Sequence, residues 1–290
     1  MSKKTRFRAY QLGNAGSSFS YSVDNHFTLI EARFNDTNKP NIIEEMQTIG
    51  RERIDCLHIT SWDQDHCNYN ELKEILKDLK PSCIEYPGYS PDTDNGKDSL
   101  IAINTYCRNQ NIIKKEFSPE YRSNLENAEE KRYNNILYNP YELCDNHNDN
   151  STVMLFRQGR FTVLSLGDCE NSAIADTIMS CTIARTEVDI MILAHHGADN
   201  GFTTKKFIST INPKIAICSS NFENQYAHPD DNVRGILYEQ GVVLYTTKTG
   251  DIIIKCDEEN NVIAYNYIAN GDKISSKIEF SPKLIINPSI

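Results

Sequence analysis

Short apolar runs alternate with polar, helix-spaced segments along most of the chain, and that alternation confines it to a layered α/β protein. Residues 17–33 read as a β-hairpin turning at Asp24-Asn25. The segment 41–50 reads as a helix closed by Gly50, and Ile54 to Thr60 form a β-rich run. Over 70–80, Leu72, Ile75, Leu76 and Leu79 share one helical face before Pro81 ends it, and Cys83 to Tyr86 give another strand. Residues 151–157 and 160–166 make a hairpin around Gln158-Gly159. Helices at 170–184, 203–211 and 230–240 then alternate with strands at 187–194, 214–219 and 242–247, and 251–286 reads as two or three antiparallel strands.

The simplest organisation is a single unit spanning 1–290, with a C-terminal strand extension over 256–290. Residues 88–147 differ in character: Gly, Pro, Asp and Asn cluster in PGYSPDTDNGKD, a weak helix falls at 97–109, and a charged stretch follows. This segment is expected to be an insertion lying over the fold, as a lid or a surface for a protein partner or a second copy.

Lys+Arg number 30 against Asp+Glu 40, a net charge of -10, which argues against a protein that coats nucleic acid with its whole surface. The nine cysteines are odd in number and contain no CxxC, so neither a disulfide framework nor a cysteine zinc knuckle is indicated, and a reducing compartment fits them best. The basic start MSKKTRFRAYQLGNAG has no apolar stretch behind it, and runs such as Ile190 to Ala194 fall far short of the ~20 residues that cross a bilayer. A cytoplasmic protein without membrane association is the expectation.

Chemistry concentrates in polar clusters that directly follow apolar strands, where open α/β folds keep their sites. They are Ser61-Trp62-Asp63-Gln64-Asp65-His66, Gly167-Asp168, His195-His196-Gly197 and His228-Pro229. Each has a plain structural reading as a helix cap, a turn, a core histidine or a loop. Together they gather carboxylates and imidazoles, the side chains that bind divalent metals well, at one end of successive strands.

The order and spacing of these clusters resemble the metallo-β-lactamase fold, and specifically the hydrolase domain of ComEC-like competence proteins. Residues 61–66 are similar to that group's H-x-D-x-D-H motif. Asn148-Asp149-Asn150-Ser151 with TVMLFRQGRFTVLSLGD resembles its N-x-N-S strand pair leading to a Gly-Asp acid, and Ile192 to Gly197 resembles its PHHGS segment. The run ending at His228-Pro229 is similar to its GHP stretch. The likeness runs from about Leu12 to Ile254, with 88–147 outside it.

The resemblance implies an αββα sandwich, two mixed β-sheets face to face with helices outside. It implies one or two divalent ions, Mn²⁺ or Zn²⁺ with Mg²⁺ as an alternative. Asp65, His66, Asp168 and one of His195 and His196 match the ligands of one metal position, with His195 favoured because it stands first after the strand. Asp63 matches a ligand of the other. Two departures weaken that other position: Ser61 stands where the motif begins with histidine, and the acid closing the early hairpin is Glu31, one methylene longer than the usual aspartate.

The activity implied is metal-dependent hydrolysis, foremost of a phosphodiester in DNA, RNA or a nucleotide. Asp65 is the candidate catalytic residue at the attacking water and His228 the one near the phosphate or leaving group. Lys205, Lys206 and Arg234 are candidates for guiding a short strand. The alternatives are a hydrolase of a small ester, thioester or lactone, and a catalytically weakened metal-binding subunit of a larger complex.

Overall fold

The computed structural model describes residues 3–118, 120–121, 135–139, 144–223, 225–257, 261–268 and 273–284. The strands, in chain order, are β1 (Thr5–Ala9), β2 (Phe19–Val23), β3 (His26–Ile30), β4 (Cys56–His58), β5 (Cys83–Pro87), β6 (Ile113–Phe117), β7 (Ile136–Tyr138), β8 (Val153–Phe156), β9 (Thr162–Ser165), β10 (Val188–Ile192), β11 (Ile215–Cys218), β12 (Val243–Thr246), β13 (Ile252–Cys256), β14 (Val262–Tyr267) and β15 (Ile274–Phe280). The helices are α1 (Lys39–Thr48), α2 (Tyr69–Glu74), α3 (Asp94–Gln110), α4 (Ser172–Ser180), α5 (Thr182–Glu187), α6 (Lys205–Ile211) and α7 (Asp231–Glu239).

One nine-stranded sheet runs β15-β14-β13-β1-β2-β3-β4-β5-β6, and one six-stranded sheet runs β12-β11-β10-β9-β8-β7. From β3 to β6 and from β9 to β12 neighbouring strands are parallel, so each segment must cross back over the sheet to rejoin it. Those crossovers lay helices on the outer faces.

Strand periodicity shows how three apolar layers arise. In β10, Ile190 and Ile192 point into the layer between the sheets, where they meet Phe7, Phe19, Phe161 and Ile217. Val188 and Met191 face the other way, toward Ile174, Ile178, Phe207 and Val233 of the outer helices. A strand covered on both faces is apolar nearly throughout, which is why this run shows no alternation in the sequence; its one polar residue, Asp189, accepts from the Thr162 and Lys283 N–H groups. On the other sheet, Leu29, Leu57 and Ile84 back onto Ile42, Met46, Leu72 and Ile103 of α1–α3 and onto Ile75, just beyond α2. Each such side chain removed from water contributes about 1.5–3 kcal/mol. The layers are α/β/β/α, as the motifs imply.

The segment 88–147 departs from the expectation. Residues 94–117 are not an overlay: α3 and β6 form a regular crossover that adds β6 parallel to β5, with Ile103 and Cys107 buried in the helix-side layer. Thr93 caps α3 by accepting a hydrogen bond from the Gly96 N–H. Part of the remaining insertion lies outside the described residues, as do the last residues of the C-terminal extension. The helix expected over 170–184 is two, broken at Cys181. Beyond Glu74 the helix expected to reach residue 80 widens into a π-turn over Ile75–Leu79 and stops at Lys80 in the left-handed region. Among the described residues no helix is long and apolar enough to cross a membrane.

Candidate metal centre

Four chain segments leave the carboxyl ends of parallel or hairpin strands and turn inward at one edge of the sandwich. Three of them do so through left-handed backbone. After β3 the chain bends at Glu31 with φ 68°, after β9 at Gly167 with φ 55°, and after β10 at His195 and His196 with φ 44° and 53°. At Gly167 no side chain fits, since a Cβ would stand 2.7 Å from that of Ser151. The loop after β4 closes by the His66 and Cys67 N–H groups donating to the Asp63 carbonyl at 2.9 and 2.7 Å.

These bends bring one donor atom each from Asp65, His66, Asp168 and His196 to within 4.8 Å of one another. His66 Nε2 lies 2.9 Å from Asp168 Oδ2, and His196 Nε2 lies 3.2 Å from Asp65 Oδ2. The far nitrogen of each ring decides its tautomer. His196 Nδ1 is 2.9 Å from the Ser219 carbonyl, which only accepts, so Nδ1 carries the proton. His66 Nδ1 is 3.1 Å from Glu31 Oε1, which fixes it the same way. Both Nε2 atoms are thereby left to present lone pairs to a cation when the rings are neutral, the orientation that metal-binding histidines take from their outer partners.

Glu31 is itself buried and fully used. Its Oε1 accepts from the Thr60 hydroxyl at 2.6 Å and its Oε2 from the Thr60 N–H at 3.1 Å.

The electrostatics agree with a cation site. Burial works to raise the Asp65 and Asp168 carboxyls, but His66 and His196 more than offset it and hold both below the usual carboxylate range. Burial lowers the two imidazoles while Asp168 chiefly draws them upward, helped by Glu31 and Asp65 at His66 and by Asp65 at His196. The group is thus two anionic carboxylates facing two imidazoles, a donor set that fits a divalent transition metal.

The structure separates the paired histidines against the expectation. His196, not His195, joins the cluster; His195 turns away and its Nδ1 meets Glu170 Oε1 at 2.5 Å. Standing first after the strand proves a poor guide, because two successive left-handed residues redirect the chain. His195 lines the mouth of a cleft of about 200 Å³ with Asp63, Asp65, Asp168, His196 and His228. The rings of His195 and His228 are 6.1 Å apart, and burial lowers the His228 imidazole.

Asp63 borders the cleft but stands outside the four-residue cluster, and burial raises its carboxyl. Its Oδ2 accepts from the Ser61 hydroxyl at 3.2 Å, which in turn lies 3.2 Å from the Tyr89 hydroxyl. Ser61 is completely buried, so Tyr89 fills the space that a larger residue at position 61 would need.

Lys205, Lys206 and Arg234, expected to guide a strand, pair with Glu239, Asp176 and Asp231 respectively. They therefore add little net positive charge to that surface. Glu170 and Ser219 were not singled out by sequence reasoning; neither has a local signal, and each acts on a histidine more than twenty residues away.

No family model matches the chain. Over 205 residues it is 24% identical to ComE operon protein 3 of Bacillus subtilis (strain 168), a match covering 70% of this chain and 25% of that protein. The chain thus spans about a quarter of that relative's length. This agrees with the resemblance carried by the motifs. Among solved structures, a variant of CmlA β-hydroxylase superposes with TM-score 0.49 at 10% identity, over 87% of this chain and 54% of that one. The metallo hydrolase Igni18 from Ignicoccus hospitalis KIN4/I gives TM-score 0.48 at 11% identity, over 86% and 98%. The fold itself is a mixed α/β sandwich of two sheets with helices outside, with a cluster suited to a divalent metal at its strand-end edge.

Proposed function

We propose that the chain is a metal-dependent phosphodiesterase acting on DNA, RNA or a nucleotide, with Asp65, His66, Asp168 and His196 as ligands. The observation that carries this reading is the cluster itself: two oxygen and two oriented nitrogen donors at the floor of an open cleft. A divalent ion there supplies Lewis acidity and brings the pKa of water from 15.7 toward about 7. Asp65, partly exposed on the cleft side, has a carboxylate placed to accept a proton from attacking water. Asp63, held by Ser61, borders the same space and offers an oxygen to a second, looser ion. His228, kept toward its neutral form by burial, offers a ring N–H to a phosphoryl or leaving-group oxygen.

The test is cleavage of single- and double-stranded DNA and RNA with Mn²⁺, Mg²⁺ or Zn²⁺, the wild type beside Asp65→Ala and His66→Ala. Metal-dependent cleavage lost in both variants supports the reading. A wild type inactive with every metal and every nucleic acid or nucleotide removes it.

One feature favours a second reading, hydrolysis of a small ester, thioester or lactone. Among the described residues lining the cleft there is no lysine or arginine, so beyond the metal and the histidines no cationic side chain there meets a polyanion. Activity on such esters, with none on phosphodiesters under the same metal, would decide for it.

A further inference from the structure

At the amino ends of β4 and β5, away from the strand-end cleft, the inner face of the large sheet is unexpectedly polar. The parallel register sets Leu57 opposite Ile84 and His58 opposite Glu85, and therefore Cys56 beside Cys83. Leu57 and Ile84 belong to the helix-side layer. Strand alternation then turns Cys56, His58, Cys83 and Glu85 together toward the other sheet. Beside them β1 and β2 present Phe7, Phe19 and Tyr21, as a face packed against another sheet should. Two strands reading Cys-x-His and Cys-x-Glu break that rule.

The thiols of Cys56 and Cys83 and a Glu85 carboxylate oxygen lie within 4.8 Å of one another. Glu85 is fixed from both sides, by His58 Nδ1 at 3.1 Å and by Lys115 Nζ at 2.8 Å. His58 is fully buried, and its Nε2 has no hydrogen-bond partner. A cavity of about 350 Å³, bordered by Tyr21, Cys56, Cys83, Glu85, Lys115 and Phe156, gives the group access to solvent.

We infer that Cys56, Cys83 and Glu85 form a second metal site, distinct from the strand-end cluster, that takes Zn²⁺ or another thiophilic divalent cation. Sulfur atoms on one tetrahedral zinc stand roughly 3.8 Å apart, given Zn–S bonds of about 2.3 Å, so side-chain rotation of an ångström or less closes the site. The charges balance: two thiolates and a carboxylate are met by the dication and the Lys115 ammonium. His58 acts as a positioning residue, orienting the carboxylate as outer partners of metal ligands do. The fourth position falls to water from the cavity. Each thiol gives up its proton on binding, and the hydrogen bond from Cys56 favours that at Cys83, lowering it below its ordinary value while raising Cys56. Hard cations such as Mg²⁺ gain nothing from sulfur, so the two sites separate by ligand chemistry.

The experiment is a Co²⁺ titration of the metal-free full chain followed by absorption. Sulfur-to-cobalt charge transfer reports thiolate ligation, which the strand-end cluster does not offer. The expected result is a saturable charge-transfer band in the wild type, saturating at one equivalent in Asp65→Ala/His66→Ala and lost in the Cys56→Ser/Cys83→Ser variant. No band in the wild type at saturating Co²⁺, or a band that survives the double serine substitution, overturns the inference. A second measurement needs no variant: Zn²⁺ should slow iodoacetamide labelling of Cys83 at least tenfold in the folded wild type, as mapped on peptides. An unchanged labelling rate counts against the site.

Discussion

Replacing Glu31 by glutamine changes one oxygen for an amino group in a place where both oxygens are in use. Oε1 accepts from the Thr60 hydroxyl and His66 Nδ1, and Oε2 accepts from the Thr60 N–H. Glutamine has one acceptor. With its oxygen at the first position, the new NH₂ faces the Thr60 N–H; with it at the second, the NH₂ faces the His66 ring proton. Either way a buried donor loses its partner, at about 1–3 kcal/mol. In the second arrangement His66 must rotate or change tautomer, turning its Nε2 lone pair away from the cluster. Divided by 1.4 kcal/mol per decade, the penalty corresponds to a roughly 5- to 150-fold loss of metal affinity. The assay is competition for Mn²⁺ or Zn²⁺ against a chelator of known affinity, with circular dichroism to confirm folding. If the glutamine oxygen keeps the first position the penalty appears as lost thermal stability instead, so wild-type affinity together with a wild-type thermal midpoint in Glu31→Gln would refute the bonding described for Glu31.

Three further outcomes follow from the same geometry. His196→Ala should weaken metal binding at least about 100-fold while His195→Ala stays within about threefold, and equal losses in the chelator assay would place the ligand elsewhere. Gly167→Ala must hold alanine at φ 55° with its Cβ 2.7 Å from Ser151 Cβ. A cost of about 2–3 kcal/mol should lower the thermal midpoint by roughly 4–12 °C, and a midpoint unchanged within a degree would contradict the packing described. Glu85 is pulled from 4.5 to about 2 against the effect of burial, by the hydrogen bond with His58 and the charges of His58 and Lys115. A depressed carboxylate stabilises the fold above its unfolded value and loses that contribution as pH falls from about 4.5 to about 2, here about 3 kcal/mol at most. Urea midpoints in chelator-treated buffer should decline through that window in the wild type and stay flatter in Glu85→Gln; parallel curves would contradict the pairing.

The sequence made the layered architecture readable where hydrophobic pattern and packing agree. In β10 every residue of Val188–Ile192 is buried, and the run is apolar but for Asp189. The strand-end placement of Asp65, His66 and Asp168 was legible for the same reason, since each follows an apolar run. What escaped reading depends on partners far along the chain. β1 contains Arg8, buried against Asp251 at 2.8 Å, and a strand that buries a charge carries no apolar signature. β6 reads Ile-Lys-Lys-Glu-Phe because it is the exposed edge of its sheet. The choice between His195 and His196 rested on backbone torsions that no residue type announces, neither position being a glycine.

The account stands most directly on where a metal sits. Crystals of the protein soaked in Zn²⁺ and measured at the zinc edge would locate it by anomalous scattering. The prediction is a peak bounded by Asp65, His66, Asp168 and His196, with zinc–nitrogen distances of about 2.0–2.1 Å through Nε2 and zinc–oxygen distances of about 2.0–2.2 Å. No peak among those four residues in a crystal that binds zinc elsewhere would contradict the central claim.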